Sequence, residues 1–259
     1  MKHPILPLES LDEGNASSLD KGLRLLTAVI LDRGQVNLST LADELAIPQS
    51  TARRLMSTFQ KHGFVLRAER GRYVPGGMLR KLGLAIDEHE LLRRVARPCV
   101  RRCAAELRAT VHLGILVSGM VTYLIKEHAG TQAGFSREGG ALEAYCSGVG
   151  KVLLAQLPYK QIKEYLSEGP FIALTANTIT EPRALLRELK RVSRQGFSID
   201  DGEFSDDIFC VAVPLELATG FSQVAGLSVT LQCRPSSREV VTYADALRRC
   251  AAEIRSRIA

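Results

Sequence analysis

The chain has 259 residues, 46% of them apolar and 24% charged, with a formal net charge of +6. Those values lie near globular averages, exclude a disordered, collagen-like or fibrous chain, and leave room for two domains. No run approaches the roughly 18 apolar residues of a membrane span. Met1–Ser18 lacks an apolar core of signal-peptide length, so a cytoplasmic protein with no membrane partner is expected. The cysteines Cys99, Cys103, Cys146, Cys210, Cys233 and Cys250 form no CxxC and sit in apolar or helical stretches, the pattern of reduced thiols.

Charge is unevenly spread: −3 over Met1–Asp20, +7 over Lys21–Lys81 and +2 over Leu82–Ala259. A basic excess gathered in about sixty residues suits a polyanion. Within it, Leu19, Leu23, Leu26 and Ile30 fall at helical spacing after a Ser18 cap, and Gly34 ends that helix. Val36–Leu38 reads as extended. Ser39 or Thr40 is then the expected cap of a second helix whose buried face is Leu38, Leu41, Ala42 and Leu45.

Pro48 cannot continue that helix but fits the start of a third, from Pro48 to His62. Ala52, Leu55, Met56 and Phe59 mark its core face. Opposite them stand Ser50, Arg54, Ser57 and Lys61, flanked by Gln49 and Arg53, with no acid. Gly63 closes the helix. Phe64–Leu66 and Arg72–Val74 then flank a polar turn, Arg67–Gly71, as a hairpin bearing Arg67, Arg70 and Arg72.

Helix, helix, tight turn, helix and basic hairpin is the order of a winged helix-turn-helix, so double-stranded operator DNA is the expected partner. A helix fits the major groove, Arg pairs bidentately with guanine and Gln with adenine, and hydroxyls at a helix N-terminus suit phosphate oxygens. The candidate DNA-contacting residues are Ser39, Gln49, Ser50, Thr51, Arg53, Arg54, Ser57, Lys61, Arg70 and Arg72. The competing readings are a surface-charged three-helix bundle that binds nothing, or a protein-binding winged helix.

Ser18–Leu26, Leu38–Ala42, Ile47–Met56 and Gly63–Val65 together resemble the N-terminal domain of the IclR family of bacterial transcriptional regulators. Thr110–Gly114, Cys146–Ala155, Gly196–Glu203 and Cys210–Pro214 resemble that family's effector domain, in the same order. Departures cluster near the expected pocket: Phe209 where a basic residue is common, Ile208 where many members carry Gly, and a divergent Glu138–Tyr145. They bear on the ligand rather than on the family.

The expected fold class is α+β: a disordered tail (1–17), a winged helix-turn-helix domain (18–77), a linker helix (78–97) and an effector-binding domain (98–259). Leu79, Leu82, Ile86 and Leu91 or Leu92 give the linker an apolar stripe suited to a second chain, and Pro98 is expected to interrupt it. Beyond Ala109 the pattern predicts strands at Val111–Val117, Val121–Lys126, Phe197–Asp200, Phe209–Leu215 and Val224–Leu231. Helices are predicted at Val149–Leu157, Lys160–Leu166, Pro182–Gln195 and from Ser236 or Ser237 to Ile258. The resemblance implies that this antiparallel sheet with packed helices is GAF/PAS-like.

Alternation places Gly226, Ser228 and Thr230 on one sheet face and Leu227, Val229 and Leu231 on the other; Cys210 and Ala212 oppose Val211 and Val213. A face of small and hydroxylated residues, beside free N–H groups of the Ser147–Gly150 turn at a helix N-terminus, suits a small carboxylate. Matching the family motif by position implies Gly148, Val149, Asp200, Ile208, Cys210, Ser228 and Thr230 as pocket-lining. Cys146, Ser147 and His112 complete the candidate set. The competing reading is that the small residues only permit close sheet–helix packing.

Gly148–Lys151 resembles part of a phosphate-binding loop, but Tyr145 and Val152 occupy positions that need Gly and Ser or Thr, so nucleotide binding is rejected. Cys99 and Cys103 at i, i+4 lack further ligands and read as core thiols, so neither metal nor cofactor is expected. The sequence therefore points to a ligand-responsive regulator of a catabolic operon, not an enzyme, working as a homodimer or, as the resemblance implies, a dimer of dimers. It would sense a small organic acid through its C-terminal domain. The alternatives are a GAF-like thiol enzyme using Cys210 or Cys146 with His112 as base, and an architectural DNA-binding protein without a ligand.

Overall fold

The computed structural model describes residues 17–129, 136–217 and 221–258. The chain divides into two compact units, 1–87 and 88–259. The expected disordered tail lies outside the described residues apart from Ser17.

In the first unit, α1 (Ser18–Asp32) begins one residue earlier than a Ser18 cap would place it. Ser17 is the cap, its Oγ accepting from the Asp20 amide at 3.2 Å. The second helix also starts early. Asn37, not Ser39 or Thr40, caps α2 (Leu38–Glu44), because its Oδ1 accepts from the Thr40 amide at 3.0 Å while both hydroxyls turn onto the same oxygen. Only Asn37 of the predicted extended segment keeps a strand-like partner, an isolated bridge to Arg72.

Between α2 and α3 (Gln49–Lys61) the chain turns through Ala46 at φ 53°, and the Ile47 amide closes the corner on the Ala42 carbonyl at 2.8 Å. Strands β1 (Val65–Arg67) and β2 (Tyr73–Pro75) pair antiparallel with Val65 opposite Pro75. Their connecting 3₁₀ turn, Glu69–Gly71, holds Arg70 at φ 56° and Gly71 at φ 72°. Leu25, Val29, Leu41, Ala42, Ile47, Ala52, Met56 and Val65 form this unit's core.

The predicted helix 78–97 is not continuous. α4 (Gly77–Leu84) buries none of its residues and stops, and α5 (Glu88–Leu107) runs straight through Pro98. Proline removes one helical N–H and costs about 3 kcal/mol in an unsupported helix. Here Leu92, Ala96, Cys99, Val100 and Cys103 are buried on both sides of it, and packing outweighs propensity.

In the second unit, the described strands form one antiparallel sheet in the order β5-β4-β3-β8-β7-β6. These are β3 (Thr110–Val117), β4 (Met120–His128), β5 (Ala141–Glu143), β6 (Ser198–Asp201), β7 (Phe209–Leu215) and β8 (Ala225–Leu231). β5 was not predicted; three residues are too short to show alternation. One sheet face packs Val111, Leu113, Val211, Val213, Leu227 and Val229 against α5 and α9 (Ser237–Ile258). The other packs against α6 (Gly148–Ala155), α7 (Tyr159–Ser167) and α8 (Pro182–Gln195) through Val149, Val152, Leu153, Ile162, Leu185 and Leu189. Cys233 departs from expectation: it is exposed and lies beyond the end of β8.

Candidate nucleic-acid interface and ligand pocket

The amphipathic spacing of α3 decides which residues can reach a partner. Ala52 and Met56 are fully buried, which turns Ser50, Arg53, Arg54, Ser57 and Lys61 outward, all of them exposed, with Thr51 half-buried at the edge. No acid interrupts this face from Gln49 to Lys61. Arg67, Arg70 and Arg72 are exposed on the hairpin.

Two sequence candidates are differently employed. Gln49 was expected to read a base, but its Nε2 donates to the Ser39 carbonyl at 2.9 Å and to Asp43 Oδ1 at 2.8 Å. Its amide nitrogen braces the corner between α2 and α3 and is not free for an adenine edge. The Ser39 hydroxyl donates to Asn37 Oδ1 at 2.8 Å. The helix expected from Pro48 to His62 spans Gln49–Lys61: Pro48 is its N-cap, and Gln49, its first residue, reaches back to α2.

The candidate pocket residues converge from four strands and one helix end. Strand register sets His112 opposite Ser228, Ser228 opposite Ala212, Thr230 opposite Cys210 and Cys210 opposite Asp200. The start of α6 is laid on this row. A Cβ at Gly148 would lie 3.1 Å from the Cys210 Cβ and 3.6 Å from the Asp200 Cβ; at Gly150 it would lie 2.2 Å from the Ala144 carbonyl oxygen. Only glycine allows that approach. The Cys210 Sγ and Thr230 Oγ1 are 3.6 Å apart.

Not every predicted pocket residue is available to a ligand. Ser147 caps α6: its Oγ donates to the Glu143 carbonyl at 3.0 Å and accepts from the Gly150 amide at 3.2 Å. Val149 packs its methyls on Gly114 and Gly226 and serves the core. Ile208 is half-buried in the turn before β7, its amide bound to the Ser205 carbonyl at 3.0 Å. Cys146 is fully buried, its Sγ 3.9 Å from the Glu143 carbonyl.

Sequence reasoning missed Tyr123. Its ring lies against His112 with centroids 4.5 Å apart, and its hydroxyl carries the electrostatic influence of Cys210, Asp200 and Cys146. A β-bulge between Leu113 and Gly114 shifts the pairing that would have indicated the contact. His112 Nε2 bonds the Ser136 hydroxyl at 2.7 Å, while Nδ1 is buried with no partner among the described residues.

Sequence reasoning also missed an ionic cluster behind the pocket. The Lys151 ammonium, fully buried, donates to the Ile199 carbonyl at 2.7 Å, pairs with Glu203 and lies 3.8 Å from Glu188. The Glu203 amide in turn donates to Asp200 Oδ1 at 2.7 Å. The lysine that made Gly148–Lys151 resemble a phosphate loop is therefore committed inward.

Burial sets the titration of the site. It pushes the Asp200 carboxyl up to about 7 against the opposing amide bond from Glu203. It pulls His112 down to about 3, helped by Lys126. It raises the thiols of Cys146, to about 12, and Cys210. At neutral pH the site thus presents a neutral imidazole, two protonated thiols and hydroxyls. Among the described residues neither thiol is hydrogen-bonded to His112. Open clefts of about 420 and 510 Å³ in this unit are lined by other residues, along α5 and beside α7.

Comparison with known proteins gives matches over most of the chain. A model of the IclR helix-turn-helix domain matches residues 18–69, and one of the bacterial transcriptional regulator IclR C-terminal region matches residues 83–256. The uncharacterized HTH-type transcriptional regulator RhmR of Escherichia coli is 33% identical over 208 residues, 79% of each chain. The transcriptional repressor IclR of the same organism is 30% identical over 210 residues, 77% of this chain and 74% of that one. The crystal structure of the Thermotoga maritima IclR has a TM-score of 0.61 at 32% identity, covering 93% of this chain and 98% of that one. An IclR homolog from Microbacterium hydrocarbonoxydans, crystallised with 4-hydroxybenzoate, has a TM-score of 0.60 at 26% identity, covering 93% and 99%.

Proposed function

This chain belongs to the IclR family of bacterial transcriptional regulators, and from that premise we propose that it regulates a catabolic operon by sensing a small organic acid in its C-terminal unit. The observation that carries the reading is the convergence of Tyr123, His112, Asp200, Cys210, Ser228 and Thr230 beneath the N-terminus of α6. An unpartnered imidazole nitrogen, hydroxyls and a helix N-terminus suit a compact carboxylate. The relative holding 4-hydroxybenzoate supports the same ligand class here.

DNA recognition is assigned to the exposed face of α3, with Arg54 reaching base edges and Arg53, Ser57, Lys61, Arg70 and Arg72 holding the backbone. The working form is a homodimer on a pseudo-palindromic site, since isologous pairing presents α3 twice. Leu19 at 71% exposure, Leu23 at 55%, Leu82 at 46%, Leu84 at 77% and Ile86 at 57% are large apolar side chains that a partner protomer would cover. The protein acts in the cytoplasm and needs no turnover; among the described residues no helix is long and apolar enough to cross a membrane.

The test is a thermal-shift screen of small carboxylates on the full chain, followed by operator titration with any acid that stabilises it. A stabilising acid that changes operator affinity supports the reading. Stabilisation only by non-acids overturns the ligand class.

A further inference from the structure

A thiol cluster on the opposite side of the sheet from the pocket is used by nothing described so far. Cys99 and Cys103 lie on α5 and Cys250 on α9, all buried in the core these helices form with the sheet. Two ion pairs fix how the helices run: Glu106 with Arg249 at 2.6 Å, and Arg102 with Glu253. Moving back four residues on α5 means moving forward four on α9, so the helices are antiparallel here. Cys103 falls inside the first interval and Cys250 inside the second.

Cys103 and Cys250 therefore lie at neighbouring levels of the two facing helices, inside one core. Donation from Cys250 holds the Cys103 thiol below its ordinary range against the pull of burial, and the same bond pushes Cys250 up. Cys103 is therefore the nucleophile of the pair and Cys250 its proton donor. Cys99 is different: burial raises it, and it is hydrogen-bonded to the Glu253 carboxylate. Among the described residues no group of three or more His, Cys, Asp or Glu is arranged to hold a metal ion. The two residues retain a little exposure, 5% for Cys103 and 6% for Cys250.

We propose that Cys103 and Cys250 form a redox site: a dithiol that hydrogen peroxide converts to a reversible disulfide joining α5 to α9. The Cys103 thiolate attacks one peroxide oxygen. The O–O bond breaks, and the departing hydroxide takes a proton to leave as water. The Cys250 sulfur then attacks the resulting sulfenic sulfur. The S–O bond breaks and the oxygen leaves as a second water with the Cys250 proton. Two thiols supply two electrons to one hydrogen peroxide. Because only three residues separate the end of α4 at Leu84 from the start of α5 at Glu88, the bond acts on the helix through which the chain enters the second unit. This input is independent of the effector pocket.

The test uses the full chain, reduced, freed of reductant and exposed to hydrogen peroxide before alkylation and non-reducing peptide mapping. The expected product joins the Cys103 and Cys250 peptides, is lighter by two hydrogens than the dithiol, and disappears with dithiothreitol. It persists in Cys99→Ser and in Cys233→Ser. In Cys250→Ser it is lost, and Cys103 is instead trapped by dimedone. The proposal is overturned if Cys103 and Cys250 both remain alkylatable at doses that consume exposed Cys233, or if Cys103 is recovered joined to another cysteine. Mapping the natural sequence decides this even if a variant fails to fold.

Discussion

Lys151 and Glu203 face each other in the interior of the second unit, the ammonium of an α6 residue closing the turn that follows β6. The same turn supplies the amide that fixes the Asp200 carboxylate. Removing the cation leaves Glu203 and Glu188 without it, and breaking such a buried pair costs about 3–5 kcal/mol. Lys151→Met is expected to lose stability on that scale in urea denaturation, and adding Glu203→Gln to recover part of it. A loss below about 1 kcal/mol in the single variant would show that the pair contributes little.

Arg54 lies on the exposed face of α3 with Ser50, Arg53, Ser57 and Lys61, and no acid interrupts the helix. Arg54→Ala should weaken specific operator binding by about 1–3 kcal/mol and relax preference at one base position. Lys61→Ala should weaken all DNA about equally and reduce the salt slope by about one. Competition binding against mutated operators separates the two. An unchanged sequence preference in Arg54→Ala would remove it from base contact.

Thr230 carries the hydroxyl nearest the Cys210 thiol and is half-buried. Thr230→Val keeps shape and deletes one hydrogen-bonding group, worth about 1 kcal/mol, or roughly fivefold in ligand affinity. Ligand-free operator affinity should be unchanged. A collapse of the melting temperature without ligand would assign Thr230 to the core.

His112 gives a signed pH dependence. Its native pKa, about 3, lies below the ordinary 6.5, so the unfolded chain takes up a proton that the native state refuses. The stability it contributes is complete above 6.5 and is lost as pH falls toward 3. Asp200 acts in the opposite sense: raised from 3.8 to about 7, it makes stability fall as pH rises through that window. Relative to His112→Gln, the natural sequence should lose stability between pH 6.5 and 4 in urea titrations. Parallel curves would contradict the burial argument.

The first unit was legible because its signals are local. Pro48 and the apolar spacing of Ala52, Leu55, Met56 and Phe59 are enough to place α3 and its exposed face. The cap of α1 was misplaced by one residue and that of α2 by two or three, because neighbouring Ser, Thr and Asn side chains are all competent caps and spacing does not choose among them. Alternation in β7 and β8 correctly separated Cys210, Ser228 and Thr230 from Val211 and Val229. Tyr123 and the Lys151–Glu203 pair were not legible. The first depends on a bulge, and the second joins residues 52 apart in the chain. The break between α4 and α5 was hidden too, since Pro98 is the stronger local signal and only tertiary burial overrides it.

The most direct measurement is a fluorescence-anisotropy titration of the full chain on promoter fragments from its own locus, repeated across salt concentrations and with 4-hydroxybenzoate and other small carboxylates. One fragment should bind in preference to scrambled DNA, with an affinity that drops steeply with salt and shifts by about fivefold to 150-fold with one acid. Equal, salt-insensitive binding to every fragment, unmoved by any acid, would contradict the account.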